Sequence, residues 1–301
     1  MDRAILGFKS VQPGVTINYD GGGSGKGLAD LAAGVDNFAG SDTAPIPASQ
    51  LAIFKGKTVL YFPVEIDPIT VSYNLPGVSK LLLSAPVIAG IFQGSITTWS
   101  DRAIAADNPG VRLPGTAIIV AHRSDSASTT LNFTQFLVDA APQVWHLGSG
   151  SVISWPASSR PAAGDDGVAS IVKHTRGAIG YVDFADAKEA GLTDALIKNM
   201  AGRYVVPSAE SASAAASQVS VKPDLTFSTI WAPGASSYPI TYPSWDMVYQ
   251  QQPNQTQERM LLAWLGYLLG DGQTLLLGLN DAPLPSGIDQ IAVHQLSKIA
   301  G

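Results

Sequence analysis

Residues 121–130 contain the side chains that are best suited to binding chemistry. The apolar run before them, residues 117–120, predicts a buried strand, and the apolar spacing of residues 131–137 predicts a helix. The first turn of a helix carries free backbone N–H groups and a partial positive charge. Arg123 could grip two oxygens of a tetrahedral anion while Asp125 holds its guanidinium. The turn is therefore a candidate anion site; the alternative is that Asp125, Ser126 or Ser128 only caps the helix.

A glycine-rich turn at residues 20–27 is the second candidate. It lacks the first glycine and the Ser/Thr of a Walker A loop, and Lys26 stands where a dinucleotide fingerprint needs its third glycine. We therefore set nucleotide binding aside. What remains is a turn at a helix N-terminus in which Ser24 lies between Gly23 and Gly25. Glycines let backbone N–H groups approach a small ligand closely, and Ser24 adds a hydroxyl donor.

Asp42 follows a predicted strand at residues 37–40. Ligands of open α/β sheets collect at the carboxyl ends of strands, so we expect Ser24, Asp42 and Arg123 to meet there. An ionised carboxylate only accepts hydrogen bonds, so Asp42 suits an anion that keeps a proton. Phosphate keeps one near neutral pH and sulfate does not, so Asp42 would favour phosphate. The alternative is that Asp42 is a helix cap or turn residue.

Composition excludes several classes of function. The chain has 301 residues, of which 46% are hydrophobic and 14% charged, so it can bury a sizeable core. Its net charge of −6 and its lack of a basic cluster argue against nucleic acid as a partner. It has no cysteine, and its four histidines show no metal-ligand spacing. No nucleophile set stands out, so we predict no catalytic residue, no metal and no cofactor.

The order of the predicted elements indicates an α/β fold. A strand at 15–19, a helix at 28–34 and a strand at 37–40 would form a βαβ unit in a parallel sheet. Further strands are predicted at 59–62, 69–73 and 177–182, and helices at 85–92, 168–174, 187–198 with a break at 191–193, 208–217, 257–269 and 286–299. The most apolar stretch, 260–279, is broken by polar and glycine residues, which favours two packed helices over a membrane span.

A series of motifs in chain order resembles one known family. The motifs are residues 19–25 (YDGGGSG), 39–42 (AGSD), 73–77 (YNLPG), 92–94 (FQG), 98–99 (TW), 108–110 (NPG), 123–125 (RSD), 177–182 (GAIGYV) and 282–285 (APLP). Together they resemble the phosphate-binding protein PstS family, the substrate-binding subunit of bacterial phosphate ABC transporters. The resemblance implies a type II periplasmic-binding-protein fold of two α/β lobes, with a ligand cleft and two crossovers. Lobe I would comprise residues 1–73 and 238–301, and lobe II residues 74–237.

The resemblance also implies which residues bind the ligand. The matching serine, aspartate and arginine, here Ser24, Asp42 and Arg123, contact phosphate in the family, and the residue matching Asp125 pairs with the arginine. The family turn reads Asp-Gly-Ser-Gly-Thr, which places Ala127, Ser128 and Thr129 at ligand-contacting positions. Gly23 and Gly25 would support the Ser24 turn. Ala127 lacks the hydroxyl of the family serine, at a cost of about 0.5–1.5 kcal/mol for one lost hydrogen bond.

The start of the chain departs from the family, which begins with a strand and a Gly/Ser/Thr-Phe loop. We therefore expect an N-terminally shortened member that lacks the first strand of lobe I and a signal peptide. The resemblance implies a monomeric, non-enzymatic protein that is periplasmic or lipid-anchored at the cell surface. It would bind inorganic phosphate in the interlobe cleft and deliver it to the permease of a phosphate ABC transporter. The alternative is a non-binding paralogue, or a truncated product, that keeps the fold as an interaction protein.

Overall fold

The computed structural model describes residues 1–46, 48, 51–276 and 282–301, and it divides into two compact units. Unit 1 comprises Met1–Ile66, Val219–Ser228 and Pro243–Gly301, and unit 2 comprises Asp67–Gln218 and Thr229–Tyr242. The lobe boundaries given above stay a prediction. Within the described ranges, no helix combines the length and the apolar character that crossing a membrane requires.

The helices and strands are bounded as follows. The helices are α1 (Asp2–Val11), α2 (Ser24–Ala33), α3 (Ala85–Phe92), α4 (Arg102–Asp107), α5 (Ser128–Ala140), α6 (Gly164–His174), α7 (Phe184–Ala190), α8 (Ala209–Ala216), α9 (Gln255–Leu269), α10 (Gln273–Leu276) and α11 (Ile288–Gln295). The strands are β1 (Ala39–Ser41), β2 (Val59–Tyr73), β3 (Leu82–Leu83), β4 (Ile119–Arg123), β5 (Arg160–Ala162), β6 (Ala178–Asp183), β7 (Thr193–Asp194), β8 (Leu196–Lys198), β9 (Tyr204–Val205) and β10 (Thr241–Tyr249).

Unit 1 combines helices with the antiparallel strand pair of β1 and β10. Strand β1 pairs antiparallel with β10, and Ser41 lies opposite Trp245. Helix α2 lies against β1, and the ring of Phe8 from α1 meets Trp264 of α9 edge to face at 5.3 Å. Asp42, which directly follows β1, therefore lies next to the start of α2.

The predicted βαβ unit is wrong. Residues 15–19 form no strand, and β1 is antiparallel to its neighbour in the sheet. The Val15 N–H donates to the Gln12 carbonyl at 3.1 Å, as in a turn, and the Tyr19 side chain is exposed.

Unit 2 positions the end of β4. Strand β6 pairs antiparallel with β2 and parallel with β4, which in turn pairs parallel with β5. The aromatic core beneath them includes Phe133 and Tyr181, whose rings stack at 4.5 Å. Strands β3, β8 and β9 form a separate three-stranded sheet. Arg123 is therefore the last residue of a central strand, and α5 begins five residues later.

Two other predictions need correction. In the segment predicted as helical at 187–198, the break expected at residues 191–193 is confirmed, because α7 ends where Gly191 adopts a left-handed conformation, but strands β7 and β8 follow instead of more helix. The strands predicted at 59–62 and 69–73 are one strand, β2, which runs through Pro63. The other predicted helices are present, although the second half of the apolar stretch at 260–279 lies partly outside the described residues.

Candidate functional site

The guanidinium of Arg123 is surrounded by carboxylates in unit 2. Its Nε donates to Asp125 Oδ1 at 2.9 Å, and its Nη2 donates to the second oxygen of the same carboxylate. On the other side, Nη1 donates to Asp165 Oδ2 and lies 3.5 Å from Thr129 Oγ1. The Arg123 side chain is only 11% exposed. The fork is therefore held in one orientation, as the recognition of a tetrahedral anion requires.

The two partner carboxylates have different electrostatics. The hydrogen bond from Arg123 lowers the pKa of Asp125 to about 2. Asp165 is more deeply buried, and loss of solvation raises its pKa although the positive charge of Arg123 opposes the change. Burial alone would lower the pKa of Arg123, but the bond to Asp125 and the charge of Asp165 raise it. Arg123 therefore stays charged.

The backbone around Arg123 is anchored on both sides. Its N–H donates to the hydroxyl of Tyr181 at 3.1 Å, and that hydroxyl is 2.7 Å from Thr130 Oγ1. Asp125 Oδ1 also accepts from the Gly164 N–H at the start of α6, at 3.2 Å. Strand β6 and helices α5 and α6 thus fix the Arg123–Asp125 pair.

The first turn of α5 brings Thr129 to Arg123. Thr129 is buried beside the guanidinium, and Ser128 begins the helix. The Ala127 N–H donates to the carbonyl of Ser151 at 3.1 Å. An anion would have to displace that carbonyl before it could use the Ala127 N–H. The N–H groups of the first helical turn beyond Ala127 have no acceptor within the helix, which suits an anion.

Ser24 and Asp42 meet in unit 1. The Asp42 N–H lies 3.4 Å from Ser24 Oγ, and Ser24 is the first residue of α2. Ser244, in β10, donates to Asp42 Oδ1 at 2.7 Å. This bond orients the Asp42 carboxylate, and sequence reasoning missed it. Gly23, with φ of 84° and ψ of 161°, has a backbone conformation that favours glycine and comes directly before Ser24, the first residue of the helix.

Lys26 does not supply a cation to this group. Its Nζ bridges Asp20 and Asp30, at 2.8 Å from each, on the exposed surface. These hydrogen bonds raise the pKa of Lys26. Gly25, the other supporting glycine, is exposed in the first turn of α2, and its Cα faces open space.

Three carboxylates of unit 2 converge near Arg123. One oxygen each from Asp165, Asp183 and Asp186 lies within 4.8 Å of the others. Burial, followed by the charges of Asp165 and Asp166, raises the pKa of Asp186 to about 6. Arg123 already provides positive charge beside this group, and we assign no metal to it. Sequence reasoning missed Asp165 because Asp165 and Asp166 have the ordinary signature of acidic residues in a first helical turn.

Comparison with known proteins shows the superfamily and the fold of this chain. The profile of a family described as "PBP superfamily domain" matches residues 1–271, so the chain belongs to this superfamily. A high-affinity periplasmic phosphate-binding protein, solved with bound phosphate, matches with a TM-score of 0.75 and 24% identity, over 91% of this chain and 86% of that one. An ABC-type phosphate transport receptor from Vibrio cholerae matches with a TM-score of 0.63 and 16% identity, over 95% of each chain. The fold is the periplasmic-binding-protein fold.

Sequence relatives then define the family. Phosphate-binding protein PstS of Xylella fastidiosa is 35% identical over 293 residues, which cover 95% of this chain and 79% of the relative. Phosphate-binding protein PstS 3 of Mycobacterium tuberculosis is 34% identical over 295 residues, with the same coverage. The chain belongs to the phosphate-binding protein PstS family.

Proposed function

We propose that this protein binds inorganic phosphate and delivers it to the permease of a phosphate ABC transporter. The observation that carries the proposal is the fixed guanidinium of Arg123, clamped by Asp125 beside the first turn of α5. Relatives that carry the name of phosphate-binding proteins support the identity of the anion.

The chemistry of such a site combines three kinds of group. Arg123 supplies a charged, bidentate donor, and the first turn of α5 adds the Thr129 hydroxyl and backbone N–H groups. In unit 1, Ser24 adds a hydroxyl, and Asp42 accepts a hydrogen bond from a protonated anion. That Ser24 and Asp42 contact the same phosphate as Arg123 stays a prediction, to be tested by substitutions in each unit.

The same proposal covers the setting of the protein. We infer a carrier without catalysis that acts in the periplasm or as a lipid-anchored protein at the cell surface. Its other partner would be the transporter permease. A carrier of this kind must release its ligand, so tight but reversible binding is expected.

Isothermal titration of phosphate and of sulfate tests the proposal. We expect one phosphate per chain and a much weaker response to sulfate. Arg123→Lys keeps the charge but loses the fork, so phosphate affinity should fall at least about tenfold, which corresponds to ~1.4 kcal/mol. Arg160→Lys is the matched control, because Arg160 is exposed on β5 of the same unit. Equal heats for the two anions, or no heat at all, would contradict the proposal and favour the non-binding alternative.

A further inference from the structure

The acidic residue at the start of α6 occupies an edge of the Arg123 guanidinium. Asp165 Oδ2 accepts from Arg123 Nη1 and lies 3.5 Å from the Thr129 hydroxyl. The Asp165 side chain is 10% exposed, whereas the neighbouring Asp166 is exposed. Asp165 therefore faces the two groups of unit 2 that are proposed to bind phosphate through their side chains.

This geometry restricts which anions can bind. An anion oxygen that accepts from Arg123 Nη1 and Thr129 must lie against the carboxylate of Asp165. In such contact, an ionised oxygen of the anion and the ionised carboxylate of Asp165 repel each other. The ionised carboxylate also has no hydrogen to donate to the anion. Contact therefore requires one proton between the anion and Asp165.

We propose that Asp165 is a specificity-determining residue, which accepts a hydrogen bond from protonated phosphate at the Arg123–Thr129 edge and thereby rejects fully ionised anions. The inference rests on the proposed function and extends it to a residue that the family resemblance does not include. Asp165 would then be a second carboxylate that selects a protonated anion, in addition to Asp42 in its predicted role.

The surrounding charges strengthen the effect. Asp165 faces Arg123 of β4, Asp125 after that strand, Asp183 at the end of β6 and Asp186 of α7. The Asp183 N–H lies 3.4 Å from Asp165 Oδ1. Carboxylates thus outnumber the guanidinium, so an unprotonated dianion is repelled unless a proton is shared at this edge. Burial favours the protonated form of Asp165, so acid pH should weaken the rejection of sulfate.

A different role for Asp165 makes a different prediction. If Asp165 only neutralises Arg123, it competes with every anion alike. Its removal would then raise the affinities for phosphate and sulfate by the same factor. The ratio of the phosphate and sulfate affinities therefore distinguishes a residue that selects protonated anions from one that only neutralises Arg123.

The experiment measures both affinities for the wild type, Asp165→Asn and Asp166→Asn near neutral pH. The amide of Asp165→Asn can donate to an ionised oxygen. Sulfate affinity should therefore rise, and the phosphate-to-sulfate ratio should fall about tenfold or more, as expected for one hydrogen bond to a charged group. Asp166→Asn, the neighbouring residue in the same helical turn, should leave the ratio within about twofold.

An unchanged ratio in Asp165→Asn would overturn the inference. If that variant does not fold, Asp165→Ser supplies a smaller donor and must lower the ratio in the same direction, while Asp165→Glu must keep it high. A wild-type protein that binds no phosphate would instead refute the proposed function. The two failures are therefore distinguishable.

Discussion

Arg123 has two carboxylate partners that are not equivalent. Asp125 is two residues away in sequence, is 39% exposed and uses both oxygens, and its pKa falls to about 2. Asp165 is 42 residues away and nearly buried, and its pKa rises. Solvation decides the difference, because a partly exposed carboxylate keeps its hydration while gaining the salt bridge. Asp125 therefore serves as the permanent partner, and Asp165 is the one that can respond to a ligand.

We expect the Ser244 hydroxyl to increase phosphate affinity by orienting the carboxylate of Asp42 in unit 1. Ser244→Ala removes the 2.7 Å bond to Asp42 Oδ1, which is one of the contacts that orient the carboxylate. We expect phosphate affinity to fall about three- to tenfold, in line with ~1 kcal/mol for one hydrogen bond. Titration calorimetry measures the change. Ser297→Ala is the control, because the exposed Ser297 hydroxyl donates to the His294 carbonyl three residues earlier in the chain. An unchanged affinity in Ser244→Ala would show that Asp42 needs no such support.

At the scale of elements, a single glycine links the start of β4, the strand that carries Arg123, to neighbouring segments. The carbonyl of Gly177 accepts from the Ile119 N–H and from Trp99 Nε1, each at 3.0 Å. Its N–H donates to the Asn74 carbonyl at 2.7 Å. Gly177 has φ of 80°, and a Cβ there would lie 2.5 Å from the carbonyl oxygen of Ala117. The start of β4 thus depends on a residue without a side chain.

Gly177→Ala should therefore destabilise unit 2 strongly. The left-handed conformation costs an L-residue about 1–2 kcal/mol, and the backbone clash adds to that cost. Gly191→Ala is a matched control, because Gly191 also has a left-handed φ of 67° but open space around its Cα. Denaturant unfolding should show a loss of about 1 kcal/mol for Gly191→Ala and at least about twice that for Gly177→Ala. Equal losses would mean that β4 and β6 adjust to the added methyl group.

Local patterns predicted the elements more successfully than the contacts between them. Helix α3 has the predicted bounds because its apolar run ends at Gln93-Gly94, and the strand–turn–helix around Arg123 follows from hydrophobic spacing. Arg123 and Asp125 are close in sequence, so their pairing could be foreseen. Ser244 lies 202 residues from Asp42, and no local signal marks that contact. The strand predicted at residues 15–19 was wrong for the same reason, because a strand forms only where a distant segment pairs with it.

The whole molecule is acidic, with a net charge of −6, although its proposed ligand is an anion. The overall field therefore does not attract phosphate, and affinity must come from placed donors such as Arg123. One acidic side chain also lies in the protein interior. Asp246 of β10 is buried, with its Oδ2 accepting from Trp264 Nε1 at 3.1 Å. Its Oδ1 has no hydrogen-bond partner among the described residues.

This buried carboxylate should make the stability of unit 1 depend on pH. Burial raises the pKa of Asp246 to about 6, although the Trp264 bond opposes the change. The folded protein then binds the Asp246 proton more tightly than the unfolded chain does. The associated stability is complete below the unfolded pKa near 4 and is lost as pH rises through about 6.

We expect this residue to reduce the free energy of unfolding by about 2 kcal/mol between about pH 4.5 and pH 7. Asp246→Asn cannot ionise, so the fall should be smaller in that variant whatever its absolute stability. Asp271→Asn, an exposed position in the same unit, should retain the wild-type slope. Denaturant unfolding at several pH values measures the slopes. If wild type and Asp246→Asn show parallel pH profiles, solvent must reach the carboxylate, and burial would not govern its ionisation.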